Sequence, residues 1–285
     1  MSQVIIEMHN VTKKVNRNKK TVLHDINLKI EKGDSVALIG VNGTGKSTLL
    51  RLISGLTPIT SGKVLTVPNL KFAFIPEHFP KLNMTVREYM NTVGKIDGLS
   101  NNEIASISKK LYEMFFIQDM VDVPIKHLSK GSIQKVSVIQ ALLKKPDVLI
   151  MDEPLAGQDI KSQKNFMKIV KELNDDGVTL IMSCHELFLM NQLAKKAYEI
   201  KGGTLHNMEL RKKIELQKSK AYDIMLFDKG SGLSNVNAEV LKWVYDRIES
   251  DDVIQIVIER DKSNEVLQTM LKDGFILRGM KGVQG

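Results

Sequence analysis

Residues 35–50 read SVALIGVNGTGKSTLL, and this stretch decides the fold. Ser35–Ile39 is a short apolar run of strand length that leads straight into a glycine-rich turn. After the turn, Leu49, Leu52, Ile53 and Leu56 fall at helical spacing, with Gly55 as the stop. The turn, residues 40–47, fits G-x-x-x-x-G-K-[ST] in full, between the strand and the helix that its mechanism requires. Glycines let the backbone curl so that its N–H groups converge on phosphate oxygens, and the following helix N-terminus adds partial positive charge. Gly40, Val41, Asn42, Gly43, Thr44, Gly45, Lys46, Ser47 and Thr48 are therefore the candidate nucleotide-binding residues. Lys46 is expected to reach the β- and γ-phosphates, and Ser47 to give an oxygen to Mg²⁺.

A second run, Val148-Leu-Ile-Met151, ends in Asp152-Glu153. An apolar strand that delivers carboxylates to the same end of the sheet places Asp152 beside the metal bound by Ser47. Glu153 is then positioned to orient and deprotonate an attacking water. Alone, such a strand means only that it reaches solvent; with the glycine-rich turn it specifies a nucleoside-triphosphate site.

Outward from these motifs the periodicity changes by region. Over 1–75, Ile26, Leu28 and Ile30 alternate with polar residues as in a half-buried strand, and Glu31-Lys32-Gly33-Asp34 makes a turn. Residues 80–145 read as an inserted helical subdomain. Thr85-x-x-Glu88 and Ser100-x-x-Glu103 are capping boxes, and the second opens a helix with Ile104, Ile107, Leu111, Met114 and Phe115 on one face. A further helix begins near Ser129 and stops at Lys144-Lys145-Pro146. From 147 the order is strand, helix (core face Phe166, Ile169, Val170, Leu173), strand over 178–184, then a hairpin at Gly202-Gly203; this alternation implies a parallel sheet with covered faces. A charged stretch, 209–220, leads to strand 222–227, helix 235–248, strand 253–259, helix 263–271 and strand 275–279, a small α/β appendage. The domain reading is thus 1–208 and 209–285. Trp243 and Tyr245 are expected in the core of the 235–248 helix.

Composition excludes several classes. The chain has 285 residues, 42% hydrophobic and 26% charged, an ordinary globular balance. Its apolar runs are far shorter than the about 20 residues a spanning helix needs. The start, MSQVIIEMHN, has no signal-peptide pattern, and the single Cys184 rules out an internal disulfide framework, so a cytoplasmic protein is expected. The net charge of +8 comes with basic clusters over 13–20 and 211–220, but these lack interleaved aromatics and match no nucleic-acid-binding motif. No nucleic-acid partner is expected.

Between the two nucleotide motifs lies Leu128-Ser-Lys-Gly-Ser132. It resembles the LSGGQ signature of the ABC ATPase family, as does its continuation IQKVSVIQALLKKPDVLIMDEP. The order of P-loop, signature, Asp-Glu pair, Asp159 at the D-loop and His185 at the switch histidine is similar to that family over about residues 3–208. The resemblance implies an α/β P-loop NTPase with an antiparallel β subdomain, the helical insertion and the C-terminal appendage. It implies ATP and Mg²⁺ as cofactors and a homodimer or heterodimer of nucleotide-binding domains closing head to tail around two ATP. Ser129, Gly131 and, at the D-loop, Asp159 would bind the nucleotide across that interface, and His185 would sense the γ-phosphate.

Three motifs depart from the family pattern. Lys130 and Ser132 replace glycine and glutamine in the signature, Val15 replaces an adenine-stacking aromatic, and Glu77 replaces the Q-loop glutamine. Glu77 can reach Mg²⁺ or water, or serve as a solvated loop acid. The resemblance further implies an ATPase peripheral on the inner face of the cell membrane, driving a separate transmembrane permease subunit. It is closest to the ABC-2-type exporter group, including peptide or toxin exporters of the phenol-soluble modulin type. The rival class, a soluble ABC ATPase acting on ribosomes or nucleic acid, usually has tandem domains or a long coiled coil, and neither pattern is present. For the appendage, dimerisation or packing is the favoured role.

Overall fold

The computed structural model describes residues 3–15, 20–155, 157–183, 192–208, 221–229, 236–249 and 253–284. The chain divides into two compact units, Met1–Met208 and Glu209–Gly285.

The first unit is built on a six-stranded sheet in which β5 (Phe72–Ile75), β6 (Val148–Asp152), β7 (Thr179–Ser183), β3 (Ser35–Ile39), β8 (Lys196–Lys201) and β9 (Thr204–Met208) lie side by side in that order. All neighbours are parallel except β8 and β9, the hairpin closed by Gly202-Gly203. β3, β6 and β7 are almost wholly buried, which is why they read as continuous apolar runs rather than alternating ones. A second sheet is antiparallel, with β1 (Val4–Val15) between β2 (Lys20–Glu31) and β4 (Ser61–Thr66). Ile26, Leu28 and Ile30 of β2 point into the core with Ile6, Met8 and Val11 of β1. Helix α1 (Lys46–Ile53) adds Leu49, Leu50, Leu52 and Ile53 to the same cluster, joining the two sheets. Leu56 does not belong to it: Gly55 (φ 72°) ends the helix first and leaves Leu56 64% exposed.

The helical subdomain holds α2 (Val86–Ile96), α3 (Asn101–Met114) and α4 (Lys130–Leu142). Both capping boxes form: Thr85 and Ser100 accept from the amides of Glu88 and Glu103, whose carboxylates return to the cap amides. Each such cap stabilises its helix by about 1 kcal/mol. On α3 the buried face is Ile104, Ser108, Leu111 and Tyr112, and Met114 lies off it, 37% exposed. Helix α5 (Ile160–Asp175) buries Phe166 and Val170 together with Met167, while Ile169 and Leu173 sit at the margin. The strand expected to run to Cys184 ends, as described, at Ser183; Cys184 lies outside the described residues.

The second unit is a β-α-β-β-α-β arrangement: β10 (Ala221–Asp228), α6 (Ala238–Leu241), β11 (Val244–Glu249), β12 (Val253–Glu259), α7 (Ser263–Lys272) and β13 (Ile276–Gln284). Its antiparallel order β11-β12-β10-β13 is that of the split-βαβ, ferredoxin-like motif. Here the expected helix over 235–248 is a single turn followed by a strand. Val244, Tyr245 and Ile248 are β-branched or aromatic, and pairing β11 with β12 completes the sheet edge, which overrides the helical periodicity. Trp243 therefore sits between helix and strand, 45% exposed under the Lys262 ammonium, not in the core, and Tyr245 lies on β11.

Candidate functional site

The parallel strands deliver the chemistry-bearing residues to their carboxyl ends. β3 runs into the glycine-rich turn, β6 ends at Asp152, and β7, which lies between them, ends at Ser183. In an open α/β sheet this is the edge where ligands bind.

The turn is braced from inside. Thr44 Oγ1 donates to Val41 O (2.9 Å), and Lys46 Nζ donates to Gly40 O (2.7 Å) and Val41 O (3.4 Å). Gly45 caps α1 at φ 108°; a Cβ there would lie 2.9 Å from Leu23 Cδ2, so the turn can hug β2 only with glycine at this position. No side chain caps α1 and no acid sits in its first turn, which leaves the helix end disposed toward an anion. Thr48 follows within α1, half-buried, and Asn42 and Gly43 are exposed at the crown of the turn.

Ser47 Oγ donates to Asp152 Oδ1 at 3.1 Å, tying the turn to the Asp-Glu strand. Ser183 Oγ donates to the same oxygen at 2.6 Å and accepts from Glu153 N at 3.1 Å. Asp152 is 1% exposed, and its Oδ2 has no hydrogen-bond partner. A buried carboxylate oxygen left unpaired is costly unless a cation completes it. One hydroxyl and one carboxylate fit Mg²⁺, which keeps several waters and takes most remaining ligands from substrate phosphates. Glu153 follows at φ 49°, a conformation that costs a residue with a side chain about 1–3 kcal/mol and persists only where neighbours enforce it. Here Ser183 does so.

The signature residues stand at the start of α4. Ser129 is its N-cap and accepts from Ser132 N (3.1 Å), with the two hydroxyls 2.9 Å apart, so Ser132 in place of glutamine steadies the cap. Ser129 and Lys130 are exposed; a Cβ on Gly131 would lie 2.4 Å from Gly157 O, a fit that only glycine permits. Asp159 caps α5 by accepting from Ser162 N (2.9 Å) and Ser162 Oγ (2.8 Å), and pairs with Lys135 Nζ at 2.6 Å. Both of its carboxylate oxygens are thus engaged within the chain. Burial works against ionisation of Asp159, but the Lys135 ammonium and the two Ser162 donors outweigh it and hold the carboxyl at about 2. A depressed folded-state value contributes stability above the ordinary value of 3.8, lost as pH falls toward 2. The melting-temperature gap between wild type and Asp159→Asn is expected to be constant near neutrality and to close over that acid window, as thermal melts at graded pH would record.

Glu77 lies two residues past β5, at the sheet edge next to the end of β6, half-buried, with His78 Nε2 3.6 Å from its carboxylate. Val15 ends β1, paired with Lys20 on the hairpin whose Val22 and Leu23 abut Gly45. His185 lies outside the described residues. Sequence reading passed over Ser183, Lys135 and Gln134. Gln134, 3% exposed, donates to Pro76 O (3.3 Å) just before Glu77. The available signal was a helix carrying Gln134, Lys135 and Ser137 among apolar neighbours, because polar groups buried on such a helix must find partners.

Comparison with known proteins gives a consistent result. The family model described as ABC transporter matches residues 23–156. The zinc import ATP-binding protein ZnuC of Rickettsia bellii is 33% identical over 192 residues, 66% of this chain and 79% of that protein. The linearmycin resistance ATP-binding protein LnrL of Bacillus subtilis is 32% identical over 180 residues, 59% of this chain and 57% of that one. A solved structure of the ATP-binding subunit of an ABC transporter superposes with a TM-score of 0.66 at 26% identity, covering 74% of this chain and 94% of that chain.

Proposed function

The chain belongs to the ABC transporter ATP-binding family, and from that premise we propose that it is the ATP-hydrolysing motor of an exporter whose channel is a separate transmembrane subunit. As a family member it is an ATPase that uses ATP with Mg²⁺ and works as a dimer of motor domains beside membrane subunits. Among the described residues no helix is long and apolar enough to cross a membrane.

The observation that carries the mechanism is the Ser47–Asp152–Ser183–Glu153 chain of hydrogen bonds, which fixes the metal-facing oxygens and the candidate base in one frame. Magnesium, when bound, neutralises charge on the β- and γ-phosphates. Ser47 and the unpaired Asp152 oxygen would hold it, with Glu77 near the same edge. Lys46 and the uncapped start of α1 would hold the phosphates. Glu153 would accept the proton of the attacking water, and Ser129 at the start of α4 would contact the γ-phosphate bound by the second motor copy. Closure around ATP and release after hydrolysis supply the differential affinity that moves the membrane subunit.

Export of a peptide or toxin is favoured by two features: a motor domain followed by a small α/β unit, as in ABC-2-type exporters, and the likeness to a resistance protein. Import is the second reading, because ZnuC is named for zinc import. Inside-out vesicles containing this chain and its membrane partner separate them. With ATP outside, a labelled amphipathic peptide should accumulate in the lumen, and Glu153→Gln vesicles should not fill. ATP-driven depletion of luminal zinc or peptide would reverse the direction assigned here.

A further inference from the structure

Helix α4 is buried along residues 132–139, yet it carries a lysine in that stretch. Lys135 is 9% exposed, and its ammonium lies 2.6 Å from Asp159 Oδ2. One turn earlier on the same helix, Gly131 packs against Gly157 O so closely that no Cβ fits between them. The segment 157–159 is therefore fastened to α4 at two points, one electrostatic and one steric.

That segment is also braced toward Glu153. Gln158 Nε2 donates to Pro154 O (2.7 Å), Gln158 N to Leu155 O (3.2 Å), and Gln163 Nε2 to Gln158 O (3.1 Å). Glu153 itself is held at φ 49° from the other side by Ser183. A rotation of 157–159 would be transmitted through this short turn to Glu153, and through Gly131 to the N-cap Ser129.

We propose that Lys135 is a positioning residue for ATP hydrolysis: by holding Asp159 it locks segment 157–159 to α4, so that Ser129 and Glu153 keep a fixed relation. The proposal rests on the roles assigned above to Glu153 and Ser129. It makes the two half-sites of one chain a single rigid body, so that the state of the γ-phosphate met by Ser129 is felt at Glu153 of the same chain. Lys135 touches no nucleotide in this account and acts only through Asp159.

The test uses the full chain in three forms: wild type, Lys135→Met, which keeps the apolar stem and removes the charge, and Lys135→Arg, which keeps the charge. Misplacing a catalytic group by a fraction of its working geometry costs about tenfold or more, so kcat of Lys135→Met should fall about tenfold while KM stays within about threefold. In nucleotide-free protein the Ser162 amide, bonded to Asp159 Oδ1 at 2.9 Å, should exchange hydrogen about tenfold faster than in wild type. Lys135→Arg should restore both readouts. Asp159→Asn, which keeps a capping side chain but drops the charge, carries the same expectation should Lys135→Met fold poorly. Unchanged kcat in the charge-removing variants overturns the proposal. So does a kcat loss with unaltered Ser162 exchange, or failure of arginine to rescue. The exchange comparison contains no nucleotide, so it judges the clamp alone, whereas Glu153→Gln at wild-type rate would instead remove the catalytic reading.

Discussion

Glu153→Gln is expected to bring ATP turnover down by about 10²–10⁴-fold while leaving ATP bound, because the substitution removes a proton acceptor and little else. Glutamine has the same length and branching as glutamate, and the φ of 49° demands the same backbone of either residue. The amide hydrogen bond from residue 153 to Ser183 Oγ is main-chain and survives the exchange. Ser47, Asp152 and Lys46 are untouched, so the proposed phosphate and metal sites keep their geometry. In the proposed cycle, closure of two motor domains around ATP is undone by hydrolysis, so blocking the chemical step should hold the closed dimer. Light scattering after chromatography in Mg-ATP should then show twice the monomer mass for the variant and mostly monomer for wild type. Turnover at the wild-type rate would remove Glu153 from the base role, and a variant that lost both turnover and ATP binding would show that it acts in binding.

The glycine-rich turn, its strand and its helix were legible because local chemistry dictates each part: an apolar run buried on both faces, glycines where the chain must hug β2, and a lysine at the helix start. The contact between Ser47 and Asp152 was legible too, since two strands of one parallel sheet bring their carboxyl ends together. What the sequence hid are residues whose meaning is another residue. Ser183 looks like any strand-end serine until the sheet order places β7 between β3 and β6, where its hydroxyl serves Asp152 and Glu153 at once. Lys135 acquires its meaning only when α4 proves buried and Asp159 proves its partner. The misread helix over 235–248 has the same origin. Its apolar spacing satisfies a helix, but non-local pairing with β12 decides for a strand, and no local pattern reports that partner.

Lys46→Ala tests the phosphate cradle directly, and nucleotide affinity is where its effect should appear. Lys46 is 5% exposed and its ammonium donates to Gly40 O and Val41 O, so it is held at the mouth of the turn and does not sweep through solvent. A bound triphosphate would draw that ammonium onto phosphate oxygens, and a charge-assisted hydrogen bond of this kind contributes about 1.5–3 kcal/mol. Its loss corresponds to an affinity weakened by about 10–100-fold for Mg-ATP. Adenosine, which has no phosphate, should bind the variant and wild type alike. That contrast separates a lost phosphate contact from a collapsed turn, because unfolding of 40–47 would weaken both ligands. The size of the effect also depends on magnesium. With chelator present, the Ser47–Asp152 contribution is gone from both proteins, and Lys46 becomes the largest remaining cation on the phosphates, so the ratio between wild type and variant should widen. Calorimetric titrations with Mg-ATP, ATP plus chelator, and adenosine give all three numbers. Equal Mg-ATP curves for wild type and Lys46→Ala would mean that the ammonium belongs to the fold of the turn through Gly40 and Val41 and not to its ligand.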